Sequence, residues 1–372
     1  MKKIFKKVLI FLAKTLIFLG GIFLFILVSG FFAVKFNLTK TAGNIDENTG
    51  LYNSLANNLS TQTSLPKSRD VQDINNTKVY CELNILADYA DYNVLQILNV
   101  YKKNYSYDLA QKMILALKLR LNNLVIVDNR LSVCEDENLN IEDFLVLESK
   151  LKKIEDTNVF GWQNGEPWQI IRQAIIKDQA VLNQVSSEIG VSSRLIVSVA
   201  IVEQLRLYYT QRELFEKVFK PLKILANANK MAWGVMSIKE AAAIKVEQGL
   251  KDPKSEFYLG KDLENILDFK TSDPDKERYA RLTDDKNHYY SYLYGGLIIK
   301  QAQAQWQKFG YEITRRPEIL ATLFNIGLQN SKPKANPLVG GSKIEIDGIS
   351  YVFGSLAYEF YYSGDLVNEF PY

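Results

Sequence analysis

Residues 199–209 read VAIVEQLRLYY, an apolar run that contains a single carboxylate, Glu203. On a helix, Glu203 shares one face with residues that are expected to pack in a core, namely Ile196, Ala200 and Leu207. A carboxylate on an apolar surface loses hydration when it ionises. Glu203 is therefore expected to reach solvent, to pair with a cation such as Arg206, or to serve chemistry that needs a protonated carboxyl group.

The composition is that of a globular protein. Of 372 residues, 47% are hydrophobic and 23% are charged, which leaves room for about two domains, each with a core. The 45 basic and 42 acidic residues nearly balance, so the sequence predicts no nucleic-acid partner.

Histidine and cysteine are scarce, which limits the classes of site. The chain has one histidine, His288, whereas a histidine-based zinc site needs several ligands and a histidine-activated nucleophile would depend on His288 alone. His288 stands among tyrosines and polar residues, which favours a surface or hydrogen-bonded structural role. The sequence contains no GxxxxGK[ST] or GxGxxG phosphate loop. We therefore expect no cofactor and no metal.

The N-terminus has the pattern of a membrane anchor. Residues 1–7 carry four lysines and precede an apolar run at residues 8–34 that only Lys14 interrupts. This run exceeds the roughly 20 residues that cross a bilayer as a helix. The lysines favour a cytoplasmic tail, so we predict a single-pass plasma-membrane protein whose remaining chain is extracytoplasmic. A cleaved signal peptide is the alternative, although its apolar region is usually only about 7 to 15 residues long.

Two regions follow the predicted anchor. Residues 35–78 are rich in Asn, Thr, Ser and Gly, which predicts a flexible linker. Residues 79–160 predict a helical accessory region, in which one helix face carries a leucine-rich stripe: Leu109, Met113, Leu117 and Leu121. Cys81 and Cys134 would both lie in an oxidising compartment, so they are candidates for a disulfide, with two unpaired cysteines as the alternative.

Residues 161–372 predict a second, mainly α-helical domain. Pro167 lies near the start of one amphipathic helix, and Gly190 ends the next before another helix begins at Ser192 or Ser193. The segment KIEIDGISYVF, residues 343–353, alternates around Asp-Gly and predicts a short β-hairpin.

Three short motifs follow one another in this domain: IVEQ at 201–204, GVMSI at 234–238 and LFNIG at 323–327. Their order resembles the lytic transglycosylases of the lysozyme superfamily, in which a helix carries Glu-Ser, a Gly-Leu-Met-Gln turn lines the cleft, and Ala-Tyr-Asn-x-Gly closes a later helix. Gln204, Ser237 and Phe324 replace the family's serine, glutamine and tyrosine, as in a divergent member. The segment RELFEKVFKPLKIL makes the interval between Glu203 and Gly234 longer than in the family. The resemblance covers roughly residues 165–362.

The resemblance implies a lysozyme-like, α-rich catalytic domain that binds peptidoglycan glycan strands. In this family one glutamate, here Glu203, acts first as acid and then as base, and the C6 hydroxyl of N-acetylmuramic acid (MurNAc) attacks to leave a 1,6-anhydro end. The implied substrate-binding residues are Gln204, Gly234, Val235, Met236, Ser237, Phe324, Asn325, Tyr351 and Tyr358. The backbone of the 234–237 turn would bind the sugar N-acetyl group. Core packing is an equal alternative for Met236 and Phe324, and it is the favoured one for Tyr351 and Tyr358.

Two other functions stay open. A lysozyme-type hydrolase would use water and leave a reducing end, whereas a non-catalytic lysozyme-like module would bind glycan strands or act as a scaffold. Hydrolases normally add a second carboxylate. The nearest acidic residues after Glu203 fit a solvated helix face: Glu213, Glu216 and Glu240. The sequence identifies no protein partner.

Overall fold

The computed structural model describes residues 69–121, 124–136, 138–144, 146–151, 158–209 and 232–372, with six isolated positions between 14 and 25. Apart from those positions, the predicted tail and anchor and the linker before residue 69 lie outside the described residues. Within the part of the chain that is described, no helix is long and apolar enough to cross a membrane.

The first part of the described chain is helical. Its helices are α1 Arg69–Leu86, α2 Asp91–Asn104, α3 Tyr107–Lys118, α4 Leu124–Leu131 and α5 Leu147–Lys150. Residues 69–78, which we predicted as the end of the linker, are the first turns of α1, so the predicted linker extends too far. Among the residues of α1 whose burial is described, 75–86, the first fully buried side chain is that of Val79. Once the second half of α1 is packed, backbone hydrogen bonds extend the helix towards its polar N-terminal turns. Because these turns lack an apolar period, the sequence pattern did not predict them as helix.

A disulfide ties this region together. Cys81 of α1 is bonded to Cys134 in the 3-10 turn Ser132–Glu135, with the two Cα atoms 5.7 Å apart. Both cysteines are buried in the same core as Met113 and Leu117 of the predicted α3 stripe. The bond restricts the unfolded chain, which stabilises the accessory region relative to its unfolded state.

The second part is also mainly helical. Its helices are α6 Glu166–Lys177, α7 Gln179–Ile189, α8 Ser193–Tyr209, α9 Glu240–Lys251, α10 Pro274–Thr283, α11 Tyr289–Lys308, α12 Pro317–Ile326 and α13 Phe353–Tyr362. Two antiparallel pairs of strands accompany them, β1 Ala232–Trp233 with β2 Ile238–Lys239 and β3 Lys343–Ile346 with β4 Ile349–Val352. The predicted helix boundaries at Pro167 and Gly190 are confirmed, Pro167 lying in the first turn of α6 and Gly190 ending α7 in the left-handed conformation.

The predicted hairpin at residues 343–353 is also confirmed. Ile344 of β3 pairs with Tyr351 of β4, and the turn between the strands consists of Asp347 and Gly348, both with positive φ. Asp-Gly favours this turn because both residues tolerate the left-handed region. Helix α13 begins directly after β4, at Phe353.

Helix α8, which carries Glu203, lies at the centre of the second part. Every residue from Ser193 to Glu203 is buried, and α8 contacts α6, α7, α11, α12, α13 and β3. The prediction of a single buried face was therefore too narrow, because neighbours surround this helix. Arg194 in its first turn is fully buried and donates hydrogen bonds to four backbone carbonyls near the C-terminus, those of Phe360, Tyr361, Asp365 and Phe370.

Candidate functional site

Glu203 is buried and ion-paired. Its side chain lies in the second half of α8, where the whole residue is only 3% exposed. Arg206, three residues along the helix, donates a hydrogen bond from Nε to Glu203 Oε2 at 3.1 Å and a second from Nη2 to the same oxygen. Among the described residues, none donates a hydrogen bond to Oε1. Of the roles that the sequence allowed for Glu203, pairing with Arg206 is the one present in this structure.

Gln204 connects α8 to the GVMS turn. Its Nε2 donates a hydrogen bond to the carbonyl oxygen of Val235 at 2.6 Å. The first two motifs, 31 residues apart between Glu203 and Gly234, are therefore in direct contact. Gln204 stands where the resembled family has serine, and its longer side chain spans the gap to the turn.

The turn at residues 234–237 requires its glycine. Gly234 has a φ of +69°, and a Cβ atom at this position would lie 2.2 Å from the carbonyl oxygen of Leu282 and 2.7 Å from Ser291 Oγ. A side chain is therefore excluded both by the left-handed backbone and by the close approach of α10 and α11. The turn is closed by a hydrogen bond from the Ser237 N–H to the Gly234 carbonyl at 3.0 Å.

Several backbone groups of this turn are engaged with protein partners. The Met236 N–H donates to Ser291 Oγ at 3.2 Å, the Ser237 N–H donates within the turn, and the Val235 carbonyl accepts from Gln204. These three groups are thus not free for the sugar N-acetyl group in this conformation, contrary to the expectation from the resemblance. Ser237 Oγ is buried and has no hydrogen-bond partner among the described residues.

Met236 belongs to the core. It is fully buried, and a Cβ atom on Gly295 of α11 would lie 2.5 Å from its Cε. The methionine side chain therefore fills the space that this glycine leaves, and of the two roles left open for Met236 this structure shows core packing. The sequence alone does not show whether a methionine in this turn faces a cleft or the core. The packing of Met236 against α11 shows that it faces the core.

Asn325 holds the hairpin against the helices. Its Oδ1 accepts hydrogen bonds from the backbone N–H of Ser342 at 2.8 Å and from Ser342 Oγ at 3.0 Å. Ser342 immediately precedes β3, which contacts α8. The third motif is therefore linked to the Glu203 helix through the hairpin. Phe324, next to Asn325, is half-buried and packs against the core.

Tyr351 lies near the far end of α8. It is buried on β4, and burial raises the pKa of its hydroxyl to about 12, with the positive charge of Arg120 acting in the opposite direction. The charges of Asp347 and of Tyr209, the last residue of α8, also act on this hydroxyl. The Arg120 guanidinium lies over the Tyr351 ring, 4.3 Å from its centroid. Sequence reasoning missed Arg120, because no local pattern relates residues so far apart along the chain.

Tyr358 points towards the accessory region. Its hydroxyl donates a hydrogen bond to the Lys112 carbonyl oxygen of α3 at 3.3 Å, and its ring packs on that of Tyr362. Burial is the main cause that raises the pKa of Tyr358 well above its ordinary value. Tyr358 therefore lies in the interface between the two parts of the chain, which agrees with the packing role favoured for the tyrosines.

The acidic residues that follow Glu203 in sequence are placed only in part. Glu240 is the first residue of α9, whereas Glu213 and Glu216 lie outside the described residues. Within the described ranges, no group of three or more His, Cys, Asp or Glu residues could hold a metal ion.

His288 has a hydrogen-bonded structural role elsewhere in this domain. Its Nδ1 lies 2.6 Å from Asp178 Oδ2, and the Tyr292 hydroxyl donates to the same oxygen at 2.7 Å. The hydrogen bond with Asp178 raises the pKa of His288. Burial acts to raise the pKa of Asp178, but the hydrogen bonds from His288 and Tyr292 outweigh it and lower that pKa.

These opposite shifts predict a pH window for stability. The raised pKa of His288 contributes stability below its usual value of 6.5, which is lost as the pH rises through the folded-state pKa. The lowered pKa of Asp178 contributes stability above its usual value of 3.8, which is lost on further acidification. Replacing His288 by Asn should therefore lower the free energy of unfolding most between these two values. Denaturant titrations of both proteins at pH 5 and pH 9 measure this, and an equal difference at both pH values would contradict it.

The site thus combines one buried carboxylate with three contacting segments. The GVMS turn reaches α8 through Gln204, the hairpin lies on α8, and Asn325 holds the hairpin. Such a carboxylate can exchange a proton with a bound molecule only if a path reaches Oε1. No family model, curated protein or solved structure matches this chain.

Proposed function

We propose that residues 161–372 form a lysozyme-like domain that cleaves the bond between MurNAc and N-acetylglucosamine in peptidoglycan. Glu203 is its acid and base, and the product carries a 1,6-anhydro-MurNAc end. The observation that carries the proposal is the convergence of the motif segments on one buried carboxylate: Gln204 contacts the GVMS turn, and the hairpin held by Asn325 lies against the same helix.

The chemistry needs one carboxyl group. A proton on Glu203 passes to the glycosidic oxygen as its bond to C1 of MurNAc breaks, and the C6 hydroxyl forms the new bond to C1 and returns its proton to Glu203. Because Arg206 donates to Oε2, the transferred proton is carried by Oε1.

The predicted location fits this substrate. An N-terminal anchor at residues 8–34 with an extracytoplasmic domain would place the site on the side of the membrane where peptidoglycan lies. The bond between Cys81 and Cys134 supports this placement, since disulfides persist in oxidising compartments. In this proposal, residues 1–7 remain in the cytoplasm and the segment before α1 connects anchor and domain.

The ion pair supports a second candidate. Arg206 donates two hydrogen bonds to Oε2 of Glu203, so this oxygen is engaged within the protein and is not open to a glycan. The Met236 and Ser237 N–H groups of the GVMS turn are also engaged within the protein. Both observations favour a lysozyme-like module that binds glycan strands without cutting them.

Digestion of purified peptidoglycan by the full-length protein distinguishes these functions. The released fragments are analysed by mass spectrometry, and binding is measured by co-sedimentation with the insoluble murein. We expect anhydro ends, which have one water fewer than reducing ends. Reducing ends would indicate the hydrolase, and co-sedimentation without release would indicate the non-catalytic module.

A further inference from the structure

Arg120 reaches from the accessory region to a residue of the candidate site. It lies two residues beyond the end of α3, and its guanidinium covers the Tyr351 ring at 4.3 Å. A guanidinium over an aromatic face is attracted by the ring's electron-rich surface and also excludes water from it. The position of Tyr351 is therefore set partly by a residue outside the proposed catalytic domain.

A buried carboxylate fixes this arginine. Arg120 donates hydrogen bonds from Nε, at 2.7 Å, and from Nη2 to Oε1 of Glu359 on α13. Glu359 is 2% exposed, and its other oxygen accepts a hydrogen bond from Trp162 Nε1 at 2.9 Å. Glu359 thus has a partner on each oxygen, and the guanidinium plane has little freedom to leave the Tyr351 ring.

Tyr351 in turn borders the helix of Glu203. It pairs across the hairpin with Ile344 of β3, the strand that contacts α8. A Cβ atom on Gly161 would lie 3.9 Å from the Tyr351 hydroxyl, and one on Gly165 would lie 3.9 Å from the hydroxyl of Tyr209, the last residue of α8. The segment between these glycines therefore connects the Tyr351 hydroxyl with the end of that helix.

We propose that Arg120 is a positioning residue of the glycan site, acting through Tyr351, so that the accessory region completes the site. This inference rests on the proposed function. Charge alone does not explain the arrangement, because a lysine could neutralise Glu359. Only a planar guanidinium can stack on the ring while two of its N–H groups donate to one carboxylate.

Two variants of the full-length protein test this role. Arg120→Lys keeps the charge beside Glu359 and removes the planar group over Tyr351. Arg120→Gln combined with Glu359→Gln removes both charges together, so that no buried charge is left without a partner. Arg130→Lys is the matched control, because Arg130 also lies over a tyrosine ring, that of Tyr89 at 5.3 Å, and pairs with Asp88 within the accessory region.

The readouts separate positioning from folding. Cleavage of glycan strands gives kcat and KM, and the indole N–H resonance of Trp162 reports the hydrogen bond to Glu359. The indole of Trp306, which donates to Ser331 Oγ, serves as the internal reference. We expect both Arg120 variants to lose on the order of 10-fold in kcat/KM, as misplaced site residues do, with the Trp162 resonance shifted and that of Trp306 unchanged. Arg130→Lys should change kcat/KM less than 2-fold, within the range of a surface substitution.

The possible results distinguish failure of the positioning role of Arg120 from failure of the proposed function. If the wild type cleaves and both Arg120 variants match it in kcat/KM, the positioning role is overturned and the proposed function stands. If Arg130→Lys loses as much as Arg120→Lys, the effect is a general one on the accessory region and the positioning role is again overturned. If the wild type neither cleaves nor binds murein, the proposed function fails and this inference fails with it.

Discussion

Replacing Glu203 by Gln is expected to lower the rate of glycan cleavage by about 10²- to 10⁴-fold, the range that a positioned acid or base contributes. Glutamine has nearly the same shape, and its amide oxygen can still accept from Arg206, so the surroundings of α8 are preserved. The amide cannot donate a proton to the glycosidic oxygen or recover one from the C6 hydroxyl. The measurement is release of anhydro-ended fragments per enzyme, counted by mass spectrometry.

Glu318→Gln is the matched control for this experiment. Glu318 is a buried glutamate of the same domain, and it too pairs with an arginine, Arg316. It lies in the first turn of α12, whereas Asn325, which holds the hairpin, lies in the last. A general effect of losing a buried carboxylate would appear in both variants. Cleavage by Glu203→Gln at the wild-type rate would rule out Glu203 as the acid.

Local patterns in the sequence were sufficient for much of the fold. The Asp-Gly turn, the left-handed Gly190 and the early Pro167 each impose a backbone conformation on their immediate neighbours, and all three lie where we predicted. The pairing of Glu203 with Arg206 was also among the alternatives, because residues three apart on a helix are neighbours. Features that depend on only a few consecutive residues can be read from one sequence.

What the sequence left open or missed concerns long-range packing. Met236 fills the space above Gly295, Tyr358 turns to Lys112, and Arg120 covers Tyr351; each contact joins segments far apart along the chain. No periodicity within a helix specifies which neighbour will cover a given face. The GVMS turn is a similar case, because the engagement of the Met236 N–H depends on the Ser291 hydroxyl of another helix.

Replacing Arg206 by Gln is expected to destabilise the fold by about 3 to 5 kcal/mol, because it leaves the buried carboxylate of Glu203 without its arginine. Adding Glu203→Gln should restore most of this stability, since the double variant buries two neutral amides instead of one unpaired charge. Denaturant unfolding of the wild type, both single variants and the double variant gives the coupling energy between the two residues.

The same cycle bears on which proposed function holds. A large coupling energy would mean that the ion pair stabilises the folded protein strongly, and a carboxylate held so firmly by Arg206 favours the non-catalytic module. Coupling near zero would contradict the predicted rescue by Glu203→Gln, and it would mean that Arg206 can leave Glu203 at little cost when a glycan binds. If the coupling is strong and the wild type nevertheless cleaves glycan strands, binding of the glycan must supply the free energy that separates Glu203 from Arg206. The cleavage rate should then rise steeply with strand length, because longer strands make more contacts with the protein.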